Sequence, residues 1–409
     1  MDTQNTPVHI KLWHREFWLM AIANLLITMS VYMLIPAIPP HMFLGGFSPI
    51  QTALAMGVFG VGIFAFGPSV SYYIQKYRRN KVCIYSILGV DVTILLLNYL
   101  DKFVPAQYCF YAILVIRFLM GAFYGLSQMT LSSTLIIDTC ESFQRTEANH
   151  IAAWFSRFAL SFGPLLSLGV FQLSHSYNIV LFSAIALSLI AICLINMIKF
   201  PFKAPSENMK RFCFDRFFMP QGMWLFFNLI LITTVIGLMI SLPRSDMFFG
   251  MIFIGFVLAL LAEKFAFANA DLKSEVITGI ISMGAAILIH YYARNISGIV
   301  FVAPVLIGFG IGIIGSRFLL FFIKLADHCQ RGTSHSTFFL GWETGIAIGL
   351  FVGIGLLRQP VLTATESEIQ LIDNQQVKLT MIVSLILLVV SLSIYNMFVH
   401  NWYVKNKNR

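Results

Sequence analysis

Short polar stretches divide this chain into apolar runs of about 20 residues, the length at which an α-helix crosses a hydrocarbon layer of about 30 Å. Lipid offers no hydrogen bonds, so a spanning backbone must satisfy its own groups as a helix or a closed barrel. The runs are continuous rather than alternating in ten-residue units, which selects helices. Twelve spans are read, at 17–38, 50–73, 81–100, 106–128, 149–172, 178–198, 222–242, 246–263, 276–293, 298–324, 336–357 and 379–400. Composition agrees: 58% of the residues are hydrophobic and 11% charged, with a mean hydropathy of +0.81, where soluble domains carry roughly one-quarter charged residues. An all-α integral membrane protein is expected.

The net charge of +9 is distributed as a membrane requires, not as nucleic acid would. Counting loops alternately, nineteen of the 27 Lys and Arg fall on one side and five on the other, with Arg117, Arg157 and Arg317 inside spans. Basic loops stay in the cytoplasm, so both termini are expected there, in a multi-pass protein of a bacterial cytoplasmic (inner) membrane. The longest inner stretch, Lys199 to Gln221, carries five basic residues and Pro201, Pro205 and Pro220. It separates six spans (1–198) from six (222–409) as a linker of residues 199–221. The other long loop, Arg358 to Lys378, is acidic through Glu366, Glu368 and Asp373 and is expected outside. Six cysteines without CxxC spacing argue against a metal site or a disulfide framework. The first span is too long for the apolar core of a cleaved signal and reads as an uncleaved insertion signal.

A faint internal repeat links the halves. Gln330 to Gly349 (QRGTSHSTFFLGWETGIAIG) aligns without gaps on Gln144 to Gly163 (QRTEANHIAAWFSRFALSFG), and this register sets Glu343 opposite Arg157. A charge inside a span is a functional-site hypothesis by default.

Four short patterns then carry a resemblance. The loop after span 2 reads Ser71-Tyr-Tyr-Ile-Gln75-Lys76-Tyr77-Arg78-Arg79-Asn80-Lys81; span 4 holds Arg117-Phe-Leu-Met-Gly121; span 5 holds Gly163-Pro164; span 1 ends in Pro36-Ala-Ile-Pro39. In these spans and this order they resemble the major facilitator superfamily along essentially the whole chain, and among its members the twelve-helix drug:proton antiporters. The family's loop usually reads Gly-x-x-x-Asp-Arg-x-Gly-Arg-Arg, so Ser71, Gln75 and Arg78 depart from it, as Ser167-Leu168 depart from the glycines that follow Gly163-Pro164 in antiporters. The resemblance implies two pseudo-symmetric six-helix bundles around a central cavity lined by spans 1, 4, 7 and 10, and a monomer that binds a small-molecule substrate. It also implies gating roles for Lys76, Arg78, Arg79, Gly163 and Pro164.

Two bundles about a midplane site are an arrangement in which rocking gives alternating access. No Gly-x-x-x-x-Gly-Lys-Ser/Thr occurs, so a gradient rather than ATP supplies the energy. No cofactor is implied, and no Ser/His/Asp or metal-ligand constellation points to an enzyme. Glu343, near the centre of span 11, is the first candidate for proton coupling, since low-dielectric surroundings favour the protonated carboxyl; permanent pairing with an arginine is the alternative. Asp91 in span 3 is a second candidate, expected more as a structural partner of a neighbour such as Arg117; Arg117 itself matches the superfamily's span-4 arginine, which the resemblance associates with proton coupling. The buried guanidiniums Arg157 and Arg317 suit carboxylate or phosphate. Asn24, Thr28 and Tyr32 form one stripe of span 1; Tyr124 and Gln128 in span 4, Trp224 and Asn228 in span 7 and Trp342 in span 11 complete the expected substrate lining. The span-10 glycines Gly308, Gly310, Gly312 and Gly315 read first as packing.

The reading is a secondary transporter, proton-coupled and exporting a small amphipathic or anionic organic compound. An importer of a small organic anion or nutrient, by symport or uniport, is the alternative, and a receptor with a transporter fold but no flux is a third. Proton-coupled drug exporters of this kind often carry an acid within span 1; here the nearest, Glu16, sits at its edge, which moves the coupling role to Glu343.

Overall fold

A computed structural model describes residues 12–200, 210–242, 244–267, 269–293, 296, 298–327, 330–357 and 366–407. Among them twelve helices are long and apolar enough to cross a membrane: α1 (Arg15–Leu44), α2 (Pro49–Lys76), α3 (Arg79–Asn98), α4 (Ala106–Asp138), α5 (Arg145–Ser174), α6 (Tyr177–Asn196), α7 (Pro220–Ser241), α8 (Asp246–Ala266), α9 (Leu272–Ala293), α10 (Phe301–Leu325), α11 (Arg331–Leu356) and α12 (Gln375–Asn406). Residues 1–11 and 201–209, residues 358–365 of the acidic loop, and the side chains of Glu366, Glu368 and Asp373 lie outside the described part.

Number and order match the twelve apolar runs, while the helices overrun them at polar ends. The largest difference is α4, expected to stop near residue 128. It continues to Asp138 because its serines and threonines bond backward to their own helix: Thr130 to the Leu126 carbonyl at 2.7 Å, Ser132 to Gln128 at 2.6 Å, and Ser133 and Thr134 to Met129 and Thr130. Such back-bonding bends helices, and a π-turn over Leu131–Leu135 follows. At the start of α2, Ser48 and Gln51 bond reciprocally around Pro49, a capping box.

The helices pack as two similar sets of six. In the first, α1 lies against α5 and α6, α2 against α4, and α3 against α4 and α6; in the second, α7 lies against α11 and α12, α8 against α10, and α9 against α10 and α12. Each pairing recurs six helices on. The repeat seen in the sequence is part of this: α5 and α11 both begin at the arginine that follows Gln144 or Gln330. Gly163 then approaches Met29, Tyr32 and Met33 of α1, as Gly349 approaches Thr234, Gly237 and Leu238 of α7. Tyr32 therefore corresponds to Gly237.

The sets meet along α2 with α11 and along α5 with α8 and α10. One end of the bundle holds Lys76, Arg78, Arg79, Lys81, Arg145, Arg211 and Arg331 and is the basic end. There α4 touches α11 so closely that a Cβ on Gly332 would stand 2.6 Å from the Ser133 carbonyl. Toward the opposite end the two sets leave between them a cavity of about 190 Å³. The outer girdle is apolar, with Val61, Val115 and Val389 more than half exposed, as lipid permits.

Candidate functional site

Glu343 of α11 sits where the two sets of helices meet, fully enclosed. The Tyr32 hydroxyl of α1 donates to its Oε1 at 2.7 Å, and the Tyr124 hydroxyl of α4 lies 3.5 Å from the same oxygen. Both tyrosines are buried to 2% exposure or less. Phe59 stacks on Tyr124 at 5.7 Å and Phe339 meets its edge at 5.6 Å. A carboxylate of one half is thus held by phenols of the other.

Three cavities lie in sequence around it. The mouth cavity of about 190 Å³, lined by Pro36 and Pro39 of α1, Leu168 of α5 and Arg244 and Phe249 beyond α7, shares Ile35 and Leu350 with a pocket of about 20 Å³. That pocket is walled by Arg117 and Glu343. Tyr32 and Glu343 in turn border a third space of about 30 Å³, with Thr28, Gln128, Arg157, His335 and Trp342. The two inner spaces are each large enough for a water or two. Glu343 is the wall between them.

Arg157 of α5 donates through Nε to the Ala153 carbonyl at 3.2 Å and through Nη1 to the Gly312 carbonyl of α10 at 3.1 Å, and its guanidinium lies 4.1 Å over the Trp154 ring. Its Nη2 is buried without a hydrogen-bond partner, as are both ring nitrogens of His335 in the same cavity. Buried donors left open cost about 1–3 kcal/mol each, so this pair is chemically unsatisfied. A side chain on Gly315 would stand 2.8 Å from Arg157 Cδ, so one span-10 glycine makes room for the guanidinium. Gly308 and Gly310 instead admit Ile252 and Gly279 backbone, as packing predicts. Arg117 has the Ala55 carbonyl at 3.1 Å, the sulfurs of Met120 and Met56, and the Phe59 ring at 4.8 Å as partners.

Several expected residues are placed elsewhere. Asp91 does not meet Arg117; it accepts from Ser188 of α6, because α3 packs on α6 away from the axis. Arg317 is ion-paired with Glu275 of α9. Trp224 is 48% exposed and packs on Phe398 at 4.6 Å on the bundle's outer side, and Asn228 donates to the Ser391 carbonyl of α12 at 3.0 Å. The span-7 stripe thus faces α12 and lipid, since Gly237 and its neighbours occupy the inward side. Asn24 donates to Ala152 and Ser156 of α5 at 3.0 and 2.7 Å, beside Thr28, which accepts from Gln128 at 3.2 Å. The sequence does not single out His335, Arg244 or Ser156, because a lone histidine, a loop arginine and a serine carry no pattern in it.

At the basic end the linker straps the halves together. Cys213 N–H donates to the Pro68 carbonyl at 3.0 Å, Ser71 to Asp215 at 3.1 Å, Arg216 N–H to Thr333 at 2.8 Å and Met219 N–H to Thr337 at 2.8 Å. Gln75 donates to Ser71 at 2.8 Å, and Arg79 pairs with Asp138. The carboxylate that position 75 lacks arrives from the linker. Along the other seam, where α5 meets α8 and α10, His150 of α5 stands 3.5 Å from Glu263 of α8 and 3.4 Å from Ser316 of α10. Gly163 and Pro164 lie inside α5, where Gly163 lets α1 come within contact.

Residues 20–350 match the family model described as Major Facilitator Superfamily. No curated protein matches in sequence. Among solved structures the chain is similar to the human organic anion transporter MFSD10 (TETRAN), at 13% identity and a TM-score of 0.65 over 93% of this chain and 98% of that one. It is also similar to the POT family transporter PepTSo, at 12% and 0.66 over 97% and 100%. A bacterial homologue of the iron transporter ferroportin in an outward-facing state aligns at 15% and 0.64 over 96% and 100%. At such identities the likeness concerns the fold.

Proposed function

The chain belongs to the Major Facilitator Superfamily, and on the premise that it is a secondary transporter we propose that it couples protons to the export of small amphipathic or anionic organic compounds. The observation that carries this reading is Glu343, a carboxyl bonded across the seam between the halves and bordering a water-sized cavity on each side. Such a group can take a proton from one side and lose it to the other as the halves rock. Arg117 flanks it and tunes its charge. Asp91, off the axis, supports α3 against α6.

When the halves rock and this water-sized space widens, the substrate lies between Arg157, Trp342, Gln128, Thr28 and Tyr124, with the open Nη2 of Arg157 and the His335 ring meeting an anionic or polar group. Arg317 acts through its pair with Glu275 rather than on substrate. With the basic end in the cytoplasm, the cavity near Arg244 faces outward and the strap of Asp215, Thr333 and Thr337 closes the inner gate; Lys76, Arg78 and Arg79 frame that gate, and Gly163-Pro164 provide the pivot of α5.

The test is flux in proteoliposomes against a panel of organic carboxylates, amphipathic cations and neutral analogues. Antiport gives uptake driven by an imposed outward proton gradient, symport requires an inward one, and binding without flux indicates a receptor. Arg157→Ala should weaken carboxylates about 10-fold to 100-fold more than neutral analogues, the worth of one charge-assisted bond of about 1.5–3 kcal/mol. Equal losses would remove the anion reading.

A further inference from the structure

The largest cavity described lies outside the axis, in the outer wall at the basic end, where about 510 Å³ opens between α2, α3 and α4. It shares no lining residue with the three axial cavities. Its rim carries Lys76, Arg78 and Lys81, all exposed, and Tyr85, Phe123 and Leu126 form its apolar wall. Tyr77 and Tyr85 are 50% and 66% exposed, aromatic bodies at the level where an interface begins. α3 begins at this rim, with Arg78 as its N-cap and Lys81 in its first turn, and a helix N-terminus favours an anion.

We propose that this groove is a binding site for an anionic glycerophospholipid of the leaflet at the basic end. The phosphate meets Lys76, Arg78, Lys81 and the α3 N-terminus, and an acyl chain runs down over Tyr85, Phe123 and Leu126. A soluble anion would leave the apolar wall uncovered, and a zwitterionic lipid would lack the charge that three cations select. The lining loop also holds Arg79, paired with Asp138, and follows Gln75, which is linked through Ser71 to Asp215, so an occupied groove bears directly on the basic-end closure.

The test uses the full chain in detergent, titrated separately with phosphatidylglycerol, phosphatidylcholine and inorganic phosphate, with native mass spectrometry counting bound lipid. Retention of phosphatidylglycerol over phosphatidylcholine is expected. Lys81→Gln should lower that retention about fivefold, one charge beside an anionic headgroup, and the triple change to Gln at Lys76, Arg78 and Lys81 about a hundredfold. A photoreactive phosphatidylglycerol should label peptides containing residues 73–86 or 123–126 of the unsubstituted protein, which keeps the test decisive if the triple variant fails to fold. Equal retention of the two lipids, labelling confined to other helices, or displacement of bound lipid by inorganic phosphate at equal concentration would overturn the proposal.

Discussion

Replacing Glu343 by Gln keeps the shape of the side chain and removes its charge. The Tyr32 hydroxyl then donates at 2.7 Å to a neutral amide oxygen. A bond to an ionised acceptor contributes about 1.5–3 kcal/mol and a neutral one about 0.5–1.5 kcal/mol, so the loss is about 1 kcal/mol, or about fivefold in an equilibrium. Because Tyr32 and Glu343 lie on opposite halves, that fivefold should appear in the ratio of basic-end-closed to basic-end-open molecules. Spin labels at Phe143 and Phe265, which are 77% and 71% exposed and lie on opposite halves at the basic end, report it on a cysteine-free background without any substrate. Glu343→Gln at high pH should resemble the unsubstituted protein at low pH. In the presence of Tyr32→Phe, the difference between Glu and Gln should shrink, since the phenol that senses the charge is gone. The reasoning is refuted if the unsubstituted protein shows no pH dependence and Glu343→Gln gives the same distance distribution.

Three further expectations concern packing and closure. Arg317→Met should destabilise the bundle by about 3–5 kcal/mol, because Glu275 would remain buried without its partner, and the double change with Glu275→Leu should restore most of the loss in a thermal unfolding assay. Gly349→Ala places a Cβ 2.2 Å from the Thr234 carbonyl and should cost about 1–3 kcal/mol, whereas Gly169→Ala, with nothing within 4 Å, should be neutral or stabilising in the same assay. Asp215→Ala removes the acceptor of Ser71 and should shift the spin-label distances toward the open basic end, while Asp246→Ala at the other end should not.

The register of Gln144 to Gly163 on Gln330 to Gly349 is legible in the sequence, and the helices obey it: both start at the arginine of the shared pair, and both glycines face equivalent partner helices. It places Glu343 and Arg157 beside one cavity. The register cannot supply their partners. Tyr32 is bound to Glu343 because Gly163 lets α5 draw α1 inward, and nothing in the span-1 stripe distinguishes that tyrosine from Asn24, which is consumed by α5.

The sequence alone determined the class: runs of apolar residues about 20 long, charged loops biased to one side and two similar halves leave a chain in lipid little choice but twelve packed helices. Hydropathy acts residue by residue along the chain, so it survives as a linear signal. Which face of each helix turns inward was decided only by the tertiary structure, because that depends on contacts between residues far apart. Trp224 and Asn228 face outward or toward α12, Arg317 is neutralised by Glu275, and Asp91 is held by Ser188. The carboxylate absent at position 75 reaches Ser71 at the basic end as Asp215, from 140 residues away along the chain, where no local pattern could announce it.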